Sequence, residues 1–314
     1  MKISVIIPVY NAEKYVAQAV ESALQFQEVS EVILVEDQSP DNALEVCEKL
    51  VEQFERVKLF QHPDKGNHGA GESRNVGMRN ATGDFIAFLD ADDFYLPNRF
   101  DAEKTVFQNP HADGVYGAIG VHYWSEKAKE QFYHIYQEKL ATVYETHPPE
   151  DVFPGLIGMR GSFGLFSIDA LTIRKSALEK MDLLMKTDLK LHQDTDFLMR
   201  LAFYTNLYPG ILDQPVAVRG VHESNRISQL DSGKVKPAKT RVLLWKHLKN
   251  WAEKEPKMPK EELLHITRIH RSFEIAHSPF FKKWGMILKY LVLDFKSMRS
   301  GLYNINFRKT LFQR

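Results

Sequence analysis

Strand and helix patterns alternate four times before residue 110, and this alternation limits the fold more sharply than any other feature of the chain. Ile3 to Val9 is β-branched and nearly all apolar, as expected of a central strand buried on both faces. Pro8-Val9-Tyr10-Asn11 breaks it at its carboxyl end. From Ala12 to Phe26, Tyr15, Val16, Ala19, Val20, Ala23 and Leu24 recur with a helical period. Glu31 to Glu36 reads as a second strand, closed by the turn Asp37-Gln38-Ser39-Pro40-Asp41 and followed by a helix to about Phe54. Val57 to Phe60 is a short third strand. A glycine-rich stretch, Gly66 to Gly71, then leads into a helical pattern that ends near Asn80. The fourth apolar run, Phe85 to Leu89, stops abruptly at Asp90-Ala91-Asp92-Asp93. This order predicts an α/β fold with a mainly parallel, doubly wound sheet and helices on both faces.

In open α/β sheets, ligands gather outside the carboxyl ends of the strands. Carboxylates crowded there repel one another unless a cation sits among them. Hard oxygen donors suit Mg²⁺ or Mn²⁺, which share their sites with phosphates. The competing reading of Asp90, Asp92 and Asp93 is an acidic turn that caps the next helix. Asp37 belongs to the same edge, where it either accepts hydrogen bonds from a base or ribose or closes an Asx turn. Arg74 either pairs with a phosphate or an acidic turn, or lies on a helix surface. The Gly66 to Gly71 stretch matches neither the dinucleotide fingerprint nor the phosphate loop of nucleotide triphosphatases.

Asp194 and Asp196 open a clear helix to Tyr204, where the helix dipole favours negative charge; the alternative is that one of them is a general base. His222, after the closing strand Pro215 to Val221, is either a metal or phosphate ligand or a hydrogen-bonded turn residue. The pattern between Tyr116 and Pro149 is loose, and strand edges and an irregular loop are expected there. Phe163 to Ile173 reads as a strand region that Asp169 can end, and Lys175 to Met181 as a short helix.

Beyond Ser232 the pattern turns helical, over Val242 to Trp251, Lys260 to Ile275 and Trp284 to Met298. The expected division is residues 1–230, with halves at 1–110 and 111–230, and a helical extension at 231–314. Acidic and basic residues balance at 41 each, so net charge implies no nucleic-acid partner. The single cysteine, Cys47, excludes an internal disulfide and reads as a small core residue, in keeping with a reducing compartment. The first residues read as a strand rather than a secretory leader, and no stretch approaches bilayer-spanning length. Phe280 to Arg314 combines lysines and arginines with Trp284, Tyr290, Phe295 and Phe307. Such a segment either lies on an anionic membrane surface or packs on the main domain with a solvated basic face.

Taken together, Ile6 to Asn11, Val35 to Ser39, Gly71 to Gly77, Thr82 to Asp93 and Gln193 to Arg200 resemble the family-two glycosyltransferases of the GT-A fold. The resemblance runs through residues 3–228 and implies an inverting, hexosyltransferase-type enzyme using a nucleotide-diphosphate sugar, with a uridine diphosphate donor the commonest in the family. By that resemblance, Pro8, Tyr10, Asn11 and Asp37 bind the nucleotide, and Arg74 lies near the nucleotide or diphosphate. Asp90 and Ala91 belong to the sugar-nucleotide site. Asp92 and His222 hold Mn²⁺ or Mg²⁺, and Asp194 is the catalytic base. Many relatives carry Glu where this chain has Gln193.

The resemblance further implies a glycan or lipid-linked acceptor, a role in polysaccharide or cell-surface glycan synthesis, and a cytoplasmic enzyme at the inner membrane face. A sugar-nucleotidyl transferase and a non-catalytic sugar-nucleotide or glycan-binding protein are the rival functions. The first normally has a glycine- and basic-rich loop near the N-terminus, which Pro8-Val9-Tyr10-Asn11 does not provide.

Overall fold

Ile3–Val9 (β1) lies at the centre of the main sheet because every one of its residues is buried, a position that suits only an unbroken apolar strand. In this computed structural model, residues 1–161, 163–179, 184–189, 191–225, 237–293 and 295 are described. After β1 the chain runs through α1 (Val16–Leu24), β2 (Val29–Glu36), α2 (Ala43–Gln53), β3 (Val57–Gln61), α3 (Ala70–Asn80) and β4 (Phe85–Phe88). It continues through β5 (Phe94–Tyr95), α4 (Asp101–Val106), β6 (Gly114–Tyr116), β7 (Ala118–Tyr123), α5 (Glu126–Tyr136) and α6 (Pro149–Leu156). A 3₁₀ turn at Ile168–Ala170 leads into β8 (Leu171–Arg174), α7 (Lys175–Glu179), α8 (Gln193–Tyr204), β9 (Leu207–Pro209) and β10 (Pro215–Val221).

Among the described residues the main sheet has seven strands in the order β3-β2-β1-β4-β8-β6-β9. β1 pairs in parallel with β2 and β4, and β2 with β3. The sheet is mixed, because β8 enters antiparallel to both β4 and β6. Pro8 is tolerated inside β1 because the ladder to β4 ends at Ile6, so the missing N–H falls beyond that pairing. A second sheet, β5-β10-β7, holds the strand that precedes His222.

Alternate residues of β1 serve two cores. Ile3, Val5, Ile7 and Val9 meet Val16, Ala19, Val20 and Ala23 of α1 and Ala43, Cys47 and Leu50 of α2. Burial pushes the Cys47 thiol up to about 12, as fits a core residue. The other face is covered by α3 and α8: Gly77 sits directly against Ile6, and Phe88 meets Phe197 with ring centroids 6.1 Å apart.

Two polar clusters pin the frame. Glu31, on β2, accepts from Ser4 Oγ at 2.5 Å, Thr82 N at 2.7 Å and Lys58 Nζ at 2.6 Å, joining β1, β2, β3 and the turn before β4. Burial opposes its charge, but these donors hold the carboxyl down at about 2. Arg99 is fully buried, pairs with Glu103, and donates to the carbonyls of Asp169 and Leu171, both at 3.0 Å.

Two expectations differ from the structure. Asp169 does not end a strand: it lies in the 3₁₀ turn before β8, where Ser167 Oγ accepts from its N–H. The stretch after Tyr123 holds a real helix, α5, because Ser125 caps it by accepting from Ala128 N at 3.0 Å and because Ala128 and Phe132 repeat on one face. The expected helix end at Met181, the boundary at residue 230 and the tail beyond residue 295 lie outside the described residues.

The chain divides into two units, one of residues 1–188 and 193–228 and one of residues 189–192 and 229–314. In the second, helices Pro237–Ala252 and Lys260–Ala276 bury Leu244, Leu248 and Ile266. A third helix, Phe280–Leu293, packs Ile287, Met286, Tyr290 and Leu291 against Ile275. No helix among the described residues is long and apolar enough to cross a membrane.

Two stability outcomes follow from the frame. A Cβ added at Gly77 would fall 2.3 Å from Ile6 Cγ2, and Ile6 is fully buried and has no room to yield. Gly77→Ala should therefore destabilise by about 1–3 kcal/mol despite its better helix propensity, read as a lower urea midpoint. Glu31 has a folded pKa below its ordinary 4.5, so its stabilisation is complete above that value and is lost as pH falls from 4.5 towards about 2. Glu31→Gln should cost about 1–2 kcal/mol at pH 7, less than the full shift implies because Lys58 is partly solvated, and should flatten the acid limb of a stability-versus-pH curve.

Candidate functional site

Register puts the carboxyl ends of β1, β2 and β4 on one rim. Val9 pairs with Glu36 and Ile6 with Phe88, so Tyr10, Asp37 and the Asp90 to Asp93 turn leave the sheet on the same side. β8 reaches this rim from the opposite direction, pairing Thr172 with Ala87 and bringing Asp169 to the end of β4. There Asp169 Oδ1 accepts from Asp90 N at 3.0 Å.

The three acids after β4 meet three environments. Asp90 forms an ion pair with Arg74, which is 5% exposed and lies on α3. Burial works against the guanidinium charge, but the carboxylates of Asp90, Asp169 and Asp194 outweigh it and raise the Arg74 pKa. Arg74 Nε has no hydrogen-bond partner among the described residues. Asp93 is buried and accepts from Gly220 N at 2.8 Å. Burial and the neighbouring acids raise it well above the usual carboxylate range, and burial with Asp90 pushes Asp169 up to about 6. Both carboxyls are raised because burial and the nearby like charges disfavour the ionised form.

Asp92 directs its carboxylate towards the turn that follows β10 of the second sheet. Its Oδ2 lies 3.1 Å from His222 Nε2 and 3.0 Å from Asn225 Nδ2. His222 Nδ1 meets Ser224 Oγ at 2.8 Å, and the His222 ring stacks on Tyr15 at 4.6 Å. Trp124 Nε1 donates to the Asp92 carbonyl at 3.2 Å. A carboxylate oxygen facing an imidazole nitrogen is a donor set that fits Mn²⁺ or Mg²⁺. Asp90, Asp93 and Asp169 offer oxygens within 4.8 Å of one another, a second group of hard donors on the same rim.

The two acids that open α8 separate cleanly. Asp196 is 1% exposed and is bound by Arg200, whose Nε donates to Oδ2 at 2.8 Å. Asp194 is exposed, and its Oδ1 accepts from Thr195 N at 2.8 Å. Gln193 is buried, and its Oε1 accepts from Gly71 N at 3.0 Å, which brings the start of α8 to the start of α3.

At the tips of β1 and β2, Tyr10 is 50% exposed, while Pro8 is buried. Asn11 has φ 54°, a left-handed conformation that Asn adopts more readily than most residues, and its N–H donates to Ser39 Oγ at 3.2 Å. Asp37 is 2% exposed and spends its carboxylate on the glycine loop, accepting from His68 N at 2.6 Å and Gly69 N at 2.8 Å, with His62 Nε2 at 3.2 Å. It shapes the loop before α3, and a ligand would have to displace those N–H groups to reach it. Ala91 points into the core, so only its backbone faces the rim.

Sequence reasoning missed Asp169, Tyr15, Trp124 and Asn225. Asp169 did leave a signal, as a lone acid inside an apolar run. The other three are brought to Asp92 by contacts between distant segments, which no local pattern records.

The family described as Glycosyl transferase family 2 matches residues 4–171. An uncharacterized glycosyltransferase of Haemophilus influenzae is 39% identical over 110 residues, which is 35% of this chain and 43% of that protein. The match thus spans under half of the relative's length. Among solved structures, residues 1–349 of TarS from S. aureus, in complex with UDP-GlcNAc, align with a TM-score of 0.63 at 21% identity, covering 99% of this chain and 82% of that one. The mannosyltransferase PcManGT from Pyrobaculum calidifontis, in complex with GDP-Man and Mn²⁺, aligns with a TM-score of 0.54 at 14% identity, over 98% of this chain and 82% of that one. These likenesses identify the fold as GT-A. With over half of its length matching the family and the strand-tip acids set on that fold, the chain belongs to glycosyl transferase family 2.

Proposed function

We propose that this chain transfers a sugar from a nucleotide-diphosphate sugar, a uridine diphosphate donor, to an acceptor hydroxyl with inversion. The observation that carries the reading is the pairing of Asp92 with His222 at 3.1 Å, on the rim that also holds the Arg74–Asp90 pair and lies within electrostatic reach of Asp194.

In this reading the exposed Tyr10 and the Asn11 backbone receive the nucleotide, and Pro8 and Asp37 shape the pocket behind them. Arg74, with its unpartnered Nε, donates to a diphosphate oxygen. Asp92 and His222 hold the divalent cation, and the backbone at Asp90 and Ala91 lies beside the donor sugar. Bound there, Mn²⁺ or Mg²⁺ supplies Lewis-acid stabilisation of the charge that develops on the leaving diphosphate.

Asp194 accepts the proton of the acceptor hydroxyl while that oxygen forms its bond to the anomeric carbon. The bond to the diphosphate breaks on the opposite face, so a single displacement inverts the centre. The proton ends on Asp194 and the electron pair on the diphosphate. A positioned base of this kind contributes about 10²–10⁴-fold. The acceptor is a glycan or a lipid-linked glycan in polysaccharide or cell-surface glycan synthesis, met at the cytoplasmic face of a membrane.

Donor binding and turnover separate the roles. Asp194→Asn should bind donor with unchanged affinity by calorimetry yet lose at least about 100-fold in transfer. Normal turnover by the folded variant would remove Asp194 as the base. Asp92→Ala should lose most of the Mn²⁺-dependent gain in donor affinity. An affinity equal to wild type in the presence of Mn²⁺ would move the metal away from Asp92.

A further inference from the structure

The helix Phe280–Leu293 uses only one side in packing. Ile287 is 6% exposed against Ile275, and Arg271 lies 4.6 Å over the Tyr290 ring on that same side. The opposite side is apolar and open: Phe281 is 89% exposed, Leu288 63% and Val292 85%. With Phe280, Trp284 and Phe295 these residues fall within an arc of about 120° at helical spacing. Single exposed apolar residues are ordinary, but a continuous stripe marks a surface that meets something.

Charge identifies the partner. Lys282 and Lys289, seven residues apart and both exposed, border the stripe along one edge. Residues 280–314 hold eight Lys and Arg against one acidic residue, Asp294, in a chain whose acids and bases balance at 41 each. A second copy docking by this face would bring like charges together. An anionic lipid surface takes both features at once, with aromatic and aliphatic side chains at the acyl boundary and lysines among the headgroups. Lys282, Lys283 and Lys289 within Phe280–Leu293 disfavour a path through the bilayer core, so the helix lies along the surface.

We infer that the Phe280–Leu293 helix docks this chain on an anionic membrane surface through Phe281, Trp284, Leu288 and Val292, with Lys282 and Lys289 at the headgroups. This deepens the reading of a membrane-side acceptor, but binding is measured without donor or acceptor, so its failure would leave the transfer reaction untouched.

The test is flotation of the full chain with phosphatidylcholine vesicles, with and without phosphatidylglycerol. Wild type should float with the anionic vesicles only, and less as salt is raised. Leu288→Glu/Val292→Glu should partition about tenfold less, and Lys282→Glu/Lys289→Glu should lose most of the salt-sensitive part. All four side chains are exposed, so circular dichroism and the melting temperature should match wild type. Three results would overturn the inference. These are absence of wild-type flotation on anionic vesicles, equal flotation of wild type and the Glu variants, and a lipid-free oligomer in sedimentation that Leu288→Glu/Val292→Glu dissociates.

Discussion

Three carboxylates crowded at the end of one buried strand are electrostatically untenable unless the rest of the fold answers each of them, and here the fold answers each differently. Asp90 is given a cation, Arg74 from α3. Asp93 is buried, accepts from the Gly220 amide, and is raised well above the usual carboxylate range by burial and its neighbouring acids. Asp92 is left half-buried, facing an imidazole. One chemical type thus becomes three distinct groups within four residues. Among the three, Asp92 is the one whose carboxylate faces an imidazole nitrogen.

That sorting depends on strands that arrive from far away in sequence. Asp169 reaches Asp90 only because β8 enters antiparallel to β4, and its backbone is held there by the buried Arg99, whose charge Glu103 matches. His222 and Asn225 reach Asp92 because β10 pairs with β5, which directly follows the acidic turn. Glu31 ties the amino ends of the same parallel strands, so the rim is set from below. Removing one partner of a buried pair such as Arg99–Glu103 typically costs several kcal/mol, because the remaining charge has no water to turn to.

These distances in sequence explain what could be read in advance. β1 to β4 and their helices were legible because each carries its own period and its own turn, and so were the acids at their tips. The helix starting at Gln193 was legible too, but the division of labour at its start was not taken from the residues. The Arg200 four positions after Asp196 was the available clue, since that spacing on a helix brings the two side chains together. Tyr15, Trp124 and Asn225 were illegible because their role arises only when two sheets meet at Asp92. Asp37 was legible as a strand-tip acid, but its occupation by His68 N and Gly69 N depends on the path of the glycine loop. The Ser125 cap of α5 is a local signal that lies among aromatic and charged residues with no clear period of their own.

The hydrogen bond from Gly71 N to Gln193 has a mechanical consequence. A side chain at Gly71 would strike the Gln193 amide, at 2.7 Å from its Cδ, so the two helix starts are in contact as well as bonded. The loop that wraps Asp37 and the turn that presents Asp194 are therefore coupled like two ends of one lever. A movement of residues 66–71 would therefore pull on the start of α8, where Asp194 follows Gln193.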